Sequence, residues 1–481
     1  MKVDAGELLK IGIALSSEKD RNKLLYLMIK EAMRFTNCDG GTLYTCDGEC
    51  LKFKVMITKS QNVHSGEKGE EINIPPVPMK RENVCANSAL TRRVIRIDDV
   101  YKENEFDFSG PRKYDGITGY HTQSMLVVPL EDDRGNIIGV LQLINAQTAD
   151  GKVTSFDEED EELVKSLASQ TAISLTNVNY ARELEELLNS FVRMISAAID
   201  ARTPYNANHS RNMAKNAVKF IDWLEETGNP WQFDEIKKRE FLMTILLHDI
   251  GKMVIPLYVM NKENRLGEQK PFVKARLEKI ALLNRIAALE GKMSDEEAAK
   301  ENEDLKKARE LFESLDTKGF VTDEELALVE DFGSRTFINE SGEKETWLTE
   351  HEKRCLSIRK GTLLDEERAE MEGHVVMTHQ FLKEIQFNND YKDVIIWASK
   401  HHEYINGTGY PNHISGEDIE PEVRLLTILD IFDSLTAADR PYKPAIPAER
   451  ALKILDDMAE KEGKLDKDIL ALFKESMCWK E

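Results

Sequence analysis

Between Gly151 and Pro204 the chain contains neither glycine nor proline, and this uninterrupted stretch limits the possible folds more than any other feature. From Asp157 onward Leu163, Leu167, Thr171, Ile173 and Leu175, then Ala181, Leu184, Leu187, Leu188, Phe191, Met194 and Ile195 recur at helical spacing. No residue there removes a main-chain donor or loosens the backbone, so the pattern predicts one helix over 157–201. A helix of that length must bury its apolar stripe. A second copy of itself in a parallel coiled coil is the simplest partner and predicts a homodimer; packing within its own chain is the alternative. In either case the helix leaves one domain and enters another.

At 481 residues the chain is long enough for two or three domains with separate cores. A formal net charge of -22 argues against a surface that tracks duplex nucleic acid, which would repel so acidic a protein. Any anionic ligand must therefore be small and met locally. The start of the chain lacks a signal-type apolar core, and no apolar run reaches ~18 residues, so a soluble, cytoplasmic protein with no membrane partner is expected. Cys38, Cys46, Cys50, Cys85, Cys355 and Cys478 do not make a disulfide framework.

In the first part, Leu8, Leu9, Ile11 and Leu15, then Leu24, Leu25, Met28, Ile29, Ala32 and Met33, predict a helix pair. Shorter strand-like pieces follow at Thr42–Tyr44, Leu51–Val55, Ser124–Leu130 and Ile137–Asn145, the last two joined by a hairpin turn at Asp132–Asn136. Helices, strands and a loop-rich middle make an α+β sensor-like domain. Gly119–Leu130 and the Gly139–Asn145 strand carry a resemblance to the GAF domain over roughly residues 5–180. The resemblance implies either a bound small molecule or a structural, dimer-forming role. Members that bind cyclic nucleotides carry a signature to which Asn145, Phe156, Asp160 and Glu161 correspond, with Ala146 where lysine would stand. Those four are the candidate ligand contacts.

The chemistry concentrates beyond the long helix. Leu246-Leu247-His248-Asp249-Ile250-Gly251-Lys252 sets an imidazole, a carboxylate and an ammonium within five residues at the end of a helix-like run. Imidazole and carboxylate both ligate divalent first-row metals. Farther along stand His401-His402-Glu403, then Asn406-Gly407-Thr408-Gly409-Tyr410-Pro411, then Asp430 and Asp433. Adjacent helical histidines point about 100° apart, which suits two metals better than one. With His209 and His374 the set becomes five imidazoles and two carboxylates: His209, His248, Asp249, His374, His401, His402 and Asp430. That is a ligand stock for a two-metal hydrolytic site.

This order of motifs, with Asp439-Arg440-Pro441-Tyr442-Lys443 after it, resembles the HD-GYP branch of the HD phosphohydrolases, which hydrolyse cyclic dinucleotides and chiefly cyclic di-GMP. The resemblance covers about 190–262 and 360–475 and implies an all-α domain over 202–481. It implies Asp249 as bridging ligand and Lys252 as phosphate contact. Gly407, Gly409, Tyr410, Pro411, Arg440 and Lys443 would meet the substrate, Glu403 would orient a ligating histidine, and Asp433 would support Asp430. The expected cofactor is two divalent ions per chain, iron or manganese, with cobalt, nickel or zinc also compatible. Two ions rather than three follow from Tyr205, which stands where members with a third metal carry glutamate. Asn406 replaces the usual aspartate, and Asp430 to Arg440 is one residue longer than usual. An insertion at about 265–360, with capping boxes at Ser294–Glu297, Thr322–Glu325 and Thr349–Glu352, predicts extra helices that form a lid, a cleft wall or a partner surface. The functional expectation is a cyclic dinucleotide phosphodiesterase giving pGpG or GMP under GAF control. Hydrolysis of another phosphoester and an inactive binding module are the alternatives.

Overall fold

The computed structural model describes residues 5–202, 208–437 and 445–480. Contacts divide the chain into two compact units, Met1–Leu188 and Asn189–Glu481.

The first unit runs α1 (Ala5–Ser17), α2 (Arg21–Phe35), β1 (Cys38–Cys46), β2 (Cys50–Thr58), β3 (Val63–Ser65), β4 (Val77–Pro78), α3 (Val84–Thr91), β5 (Ile95–Ile97), α4 (Ser109–Thr118), β6 (Met125–Glu131), β7 (Ile137–Gln147) and β8 (Val153–Thr154), and reaches into α5 (Glu158–Asp200). Asp20 starts α2 by accepting the Asn22 and Lys23 N–H groups, two of the donors that a helix start leaves open. The strands form one sheet in the order β3-β2-β1-β7-β6-β5, with β4 beside β2 and β8 beside β7. The β6–β7 hairpin falls where the sequence predicts it: Asp132 Oδ1 accepts the Arg134 and Asn136 N–H groups at 2.9 and 2.6 Å. One face of the sheet packs Leu126, Leu141 and Leu143 against α1 and α2, with Leu24, Met28 and Ile29 in the same core. The other face gathers Tyr44, Val84, Phe108, Met125 and Val140.

The stripe of α5 changes role along its 43 residues. Val164, Leu167, Ala168, Ala172 and Leu175 lie in the core of the first unit, so the intrachain alternative holds there. Farther on, Leu184, Leu187, Phe191 and Met194 recur at heptad spacing and are each at least half exposed.

Among its described residues the second unit is helical apart from one small hairpin. Its elements are α6 (His209–Glu226), α7 (Glu235–Leu247), a 3₁₀ turn (Ile250–Val254), α8 (Leu257–Met260), α9 (Lys270–Leu289), α10 (Asp295–Thr317), α11 (Asp323–Gly333), β9 (Thr336–Ile338), β10 (Lys344–Thr346), α12 (Glu350–Leu356), α13 (Asp365–Glu372), α14 (His374–Lys383), α15 (Val394–Ala398), α16 (Pro421–Thr436), α17 (Ala448–Glu460) and α18 (Lys467–Ser476). Met213, Phe220, Phe241, Ile245, Leu425, Leu429, Leu455 and Phe473 form the core that joins α6, α7, α16, α17 and α18. The inserted elements have a core of their own, with Leu277 and Ile280 of α9 against Leu305, Ala308 and Phe312 of α10 and with Trp347 buried beside them. All three expected capping boxes form. No described helix is long and apolar enough to cross a membrane.

Candidate metal centre

Asp234 starts α7 by accepting the Lys237 N–H at 2.7 Å, and the helix delivers His248 at its C-terminal end. The chain then tightens into the 3₁₀ turn with Asp249 ahead of it. Only glycine fits at 251, because a Cβ there would stand 1.8 Å from the His374 carbonyl oxygen and 2.6 Å from Thr378 N. Thr378 fastens the contact: its hydroxyl donates to the His248 carbonyl at 2.9 Å and accepts the Gly251 N–H at 3.0 Å. The motif is thereby pressed onto the first turn of α14, whose first residue is His374. His401 and His402 follow α15, Asp430 and Asp433 lie one turn apart on α16, and His209 opens α6.

Main-chain carbonyls orient three of the histidines alike. The Nδ1 atoms of His248, His374 and His401 lie 2.7, 2.6 and 2.7 Å from the carbonyls of Ile245, Met371 and Ala398, each three residues back. A proton on Nδ1 serves that bond and leaves Nε2 as a lone pair, the arrangement that metal-ligating histidines use. Those three Nε2 atoms and Asp249 Oδ1 are buried without a hydrogen-bond partner. Buried polar atoms are almost always satisfied, so four together mark a place built for a further group. The donor set fits divalent metal ions.

The Asp249 carboxylate stands between two sets of imidazoles. Oδ2 is 3.3 Å from His248 Nε2, while Oδ1 is 3.4 Å from His374 Nε2 and 3.8 Å from His401 Nε2. Ligand atoms of His209, His248 and Asp430 lie within 4.8 Å of one another, and so do those of His374, His401 and His402 and those of His248, Asp249 and His401. His209 is clamped at both nitrogens, Nδ1 2.7 Å from Asp433 Oδ2 and Nε2 3.2 Å from Asp430 Oδ1.

The electrostatics follow from burial and pairing. Burial acts to raise the Asp249 carboxyl, yet His248 and Lys252 outweigh it and hold the group well below the usual carboxylate range. Asp430 is likewise held low, with His209 and His402 overcoming its burial. Burial drives His401 well below its ordinary value and His402 down to about 3, so both rings are neutral at neutral pH. His209 goes the other way: burial disfavours its charge, but Asp430 and Asp433 push it up to about 10.

Lys252 Nζ lies 2.5 Å from Asp249 Oδ2, with its side chain 18% exposed at the rim. Gly407, Gly409, Tyr410 and Pro411 form a loop against the paired histidines. A Cβ at Gly409 would stand 2.4 Å from the His402 carbonyl oxygen, and the Tyr410 ring centroid is 4.7 Å from that of His402. Two supporting assignments shift. Glu403 accepts the Asn412 N–H at 2.7 Å and so anchors this loop, while the Nδ1 atoms of His248, His374 and His401 use main-chain carbonyls. Asp433 holds His209 rather than Asp430. Asn406 has a use that aspartate could not serve, because its amide donates to the Glu462 carbonyl at 2.7 Å while Oδ1 accepts the Thr408 N–H. Tyr205, Arg440 and Lys443 lie outside the described residues. The sequence reading missed Thr378, and it missed Arg202, whose guanidinium donates to the carbonyls of Lys252 and Ile255. A hydroxyl or guanidinium that serves the main chain leaves no spacing signal.

The candidate ligand contacts of the first unit have other tasks. A cavity of about 320 Å³ lies there, and Asn145, Phe156, Asp160 and Glu161 do not line it. Asn145 accepts the Gln123 N–H at 2.7 Å and donates to the His121 carbonyl at 2.8 Å, tying a loop to the sheet from a left-handed backbone (φ 57°). Phe156 is core, Asp160 accepts the Asp157 N–H at the start of α5, and Glu161 pairs with Arg96 at 3.4 Å.

The fold and the cluster define a class: a sensor-type α+β domain ahead of a helical domain that gathers imidazoles and carboxylates at one centre. Residues 20–175 match the GAF domain family and residues 352–469 the HD domain family, so the chain joins a GAF domain to an HD domain. His209, His248 and Asp249 precede the HD match, on the other side of the insertion. The chain is 36% identical over 97 residues to the 3'3'-cGAMP-specific phosphodiesterase 3 of Vibrio cholerae serotype O1, covering 20% of each protein. It is 35% identical over 98 residues to the cyclic di-GMP phosphodiesterase response regulator RpfG of Xanthomonas campestris pv. campestris, covering 20% of this chain and 25% of that one. It is 25% identical over 174 residues to the dual 3',5'-cyclic-AMP and -GMP phosphodiesterase 11 of Drosophila melanogaster, covering 34% and 11%. The similarity thus spans a quarter or less of the length of these relatives.

Proposed function

We propose that the helical domain is a metal-dependent phosphodiesterase that opens a cyclic dinucleotide, cyclic di-GMP first among the candidates, to pGpG or GMP under control of the GAF domain. The observation that carries this reading is the Asp249 carboxylate, whose two oxygens face different imidazoles with buried, unpartnered Nε2 atoms. One divalent ion would be held by His209, His248 and Asp430, a second by His374, His401 and His402, with Asp249 between them. Imidazole-rich ligation suits iron or manganese. The Vibrio and Xanthomonas relatives, named for phosphodiesterase action on cGAMP and cyclic di-GMP, favour a cyclic dinucleotide over other phosphoesters.

Bound ions of this kind supply Lewis acidity toward phosphoryl oxygens and lower the pKa of a water molecule toward neutrality. The chain's own residues arrange the rest. His248, His374 and His401 keep their protons on Nδ1, against carbonyls, so Nε2 enters the site as an acceptor. The Lys252 ammonium, at the rim, is assigned to a phosphoryl oxygen, where its charge counts most as negative charge develops. The loop through Gly407, Gly409, Tyr410 and Pro411 walls the site beside His402, and Arg440 and Lys443 are assigned to guanine or phosphate. The exposed heptad face of α5 is assigned to a parallel dimer through which the state of the GAF domain reaches the HD domain. Protein purified with iron or manganese should cleave cyclic di-GMP or 3'3'-cGAMP at least ~10-fold faster than cyclic GMP or bis(4-nitrophenyl) phosphate. Faster cleavage of either of the last two would overturn the substrate assignment.

A further inference from the structure

We infer that the cavity of the GAF domain is built for an uncharged, ring-containing small molecule and against a phosphate ester. The cavity, about 320 Å³, is bounded by β1, β2, β6 and β7 and by the starts of α3 and α4, a size at which buried small-molecule sites occur. Among the described residues that line it there is no lysine, arginine or histidine, and the charged one is Asp107. Burying a phosphate charge without a partner is prohibitive, so a phosphate ester would need a cation that this wall lacks.

The electropositive features at hand are the starts of α3 and α4, and an anion at the second would meet a carboxylate already in place. Asp107 Oδ1 accepts the Ser109 N–H and so sets its negative charge at the start of α4, while its own N–H donates to the Glu82 carbonyl at 2.7 Å, one residue before the Asn83 cap of α3. Ser109 holds the Asp107 carboxyl below its ordinary range, with its N–H 2.8 Å away.

The polar groups inside are neutral and partly prearranged. The Tyr44 hydroxyl donates to Gln142 Oε1 at 2.8 Å, and the Gln142 amide donates to Met125 Sδ at 3.2 Å. Burial keeps the Tyr44 phenol well above its ordinary value and pushes the Cys85 thiol up to about 12, so neither ionises at neutral pH. Tyr44 and Phe53, ring centroids 4.7 Å apart, form an aromatic wall, and Thr42, Thr58 and Thr122 also line the cavity. Aromatic rings and neutral hydrogen-bonding groups suit a flat, uncharged ligand.

The full-length protein titrated with N-phenyl-1-naphthylamine, an uncharged aromatic probe that brightens in apolar surroundings, should bind it saturably at one site per chain. Millimolar cyclic GMP and millimolar cyclic di-GMP should leave the bound fraction unchanged. Thr42→Phe, which fills the cavity, should weaken probe binding at least ~10-fold with the far-ultraviolet circular dichroism unchanged. Displacement of the probe by either nucleotide at micromolar concentration would overturn the exclusion of phosphate. Unsaturable probe binding, or unchanged affinity in a folded Thr42→Phe protein, would overturn the cavity assignment. The competition arm uses the unaltered chain and decides even if the variant fails to fold.

Discussion

Asp249 and Lys252 lie within one short motif and pair with each other at 2.5 Å, yet the proposal gives them different tasks. Lys252→Met should leave metal content unchanged while lowering turnover of the cyclic dinucleotide on the order of 100-fold, since a rim cation acts on developing charge and holds no metal. Metal analysis beside steady-state rates checks this, and loss of both together would make Lys252 structural. Thr378→Val keeps the shape but leaves the His248 carbonyl and the Gly251 N–H without their bonds, so it should cost about 1–3 kcal/mol in denaturant unfolding. At this scale the ligand types were legible because imidazoles and carboxylates recur in short motifs, and the structure brings all seven together. Their partners were not legible. Asp433 turned out to hold His209 because a helical i,i+3 step fixes a face but not what lies across from it. Asn145 meets the same limit: a short polar side chain that ties a loop to a strand and one that meets a ligand look the same in sequence.

At the scale of elements, α5 was the most legible part of the chain, since its period and lack of breakers admit one secondary structure. What covers the stripe depends on tertiary contacts: Leu167 and Leu175 are core, whereas Ile173 in the same half and Leu187 and Phe191 farther on are exposed. If the exposed half is clamped in a dimer, helical phase should matter more than surface. Four residues inserted near Glu185 add about 400° and should alter basal activity mildly, whereas two add about 200° and should alter it strongly. Equal activity in both variants, with dimers confirmed by light scattering, would make the helix a passive tether. The insertion was read as helical, and its capping boxes held, but the β9–β10 hairpin escaped notice because strands of three residues are too short to show a period of two. Its core centres on Trp347, 1% exposed, so Trp347→Ala should cost about 3–5 kcal/mol in the unfolding of the inserted elements. Metal content should stay unchanged, and loss of metal in that variant would tie the insertion to the centre.

For the whole molecule, the buried lone pairs without partners imply that an ion filling them would stabilise the second unit. At metal concentrations a thousandfold above the dissociation constant, binding adds about 4 kcal/mol to the stability of the unit that holds the site. Calorimetry should therefore show chelation lowering the transition of the unit Asn189–Glu481 while that of Met1–Leu188 stays in place. The measurement that tests the central claim most directly is chromatographic analysis of cyclic di-GMP incubated with manganese-loaded protein, unaltered and Asp249→Ala, with metal counted in both. The unaltered chain should carry two ions and release pGpG or GMP, and the variant should lose one ion or both with turnover falling at least ~100-fold. Near-normal turnover with two ions bound in Asp249→Ala would contradict the assignment, as would an unaltered chain that holds both ions and leaves the substrate intact.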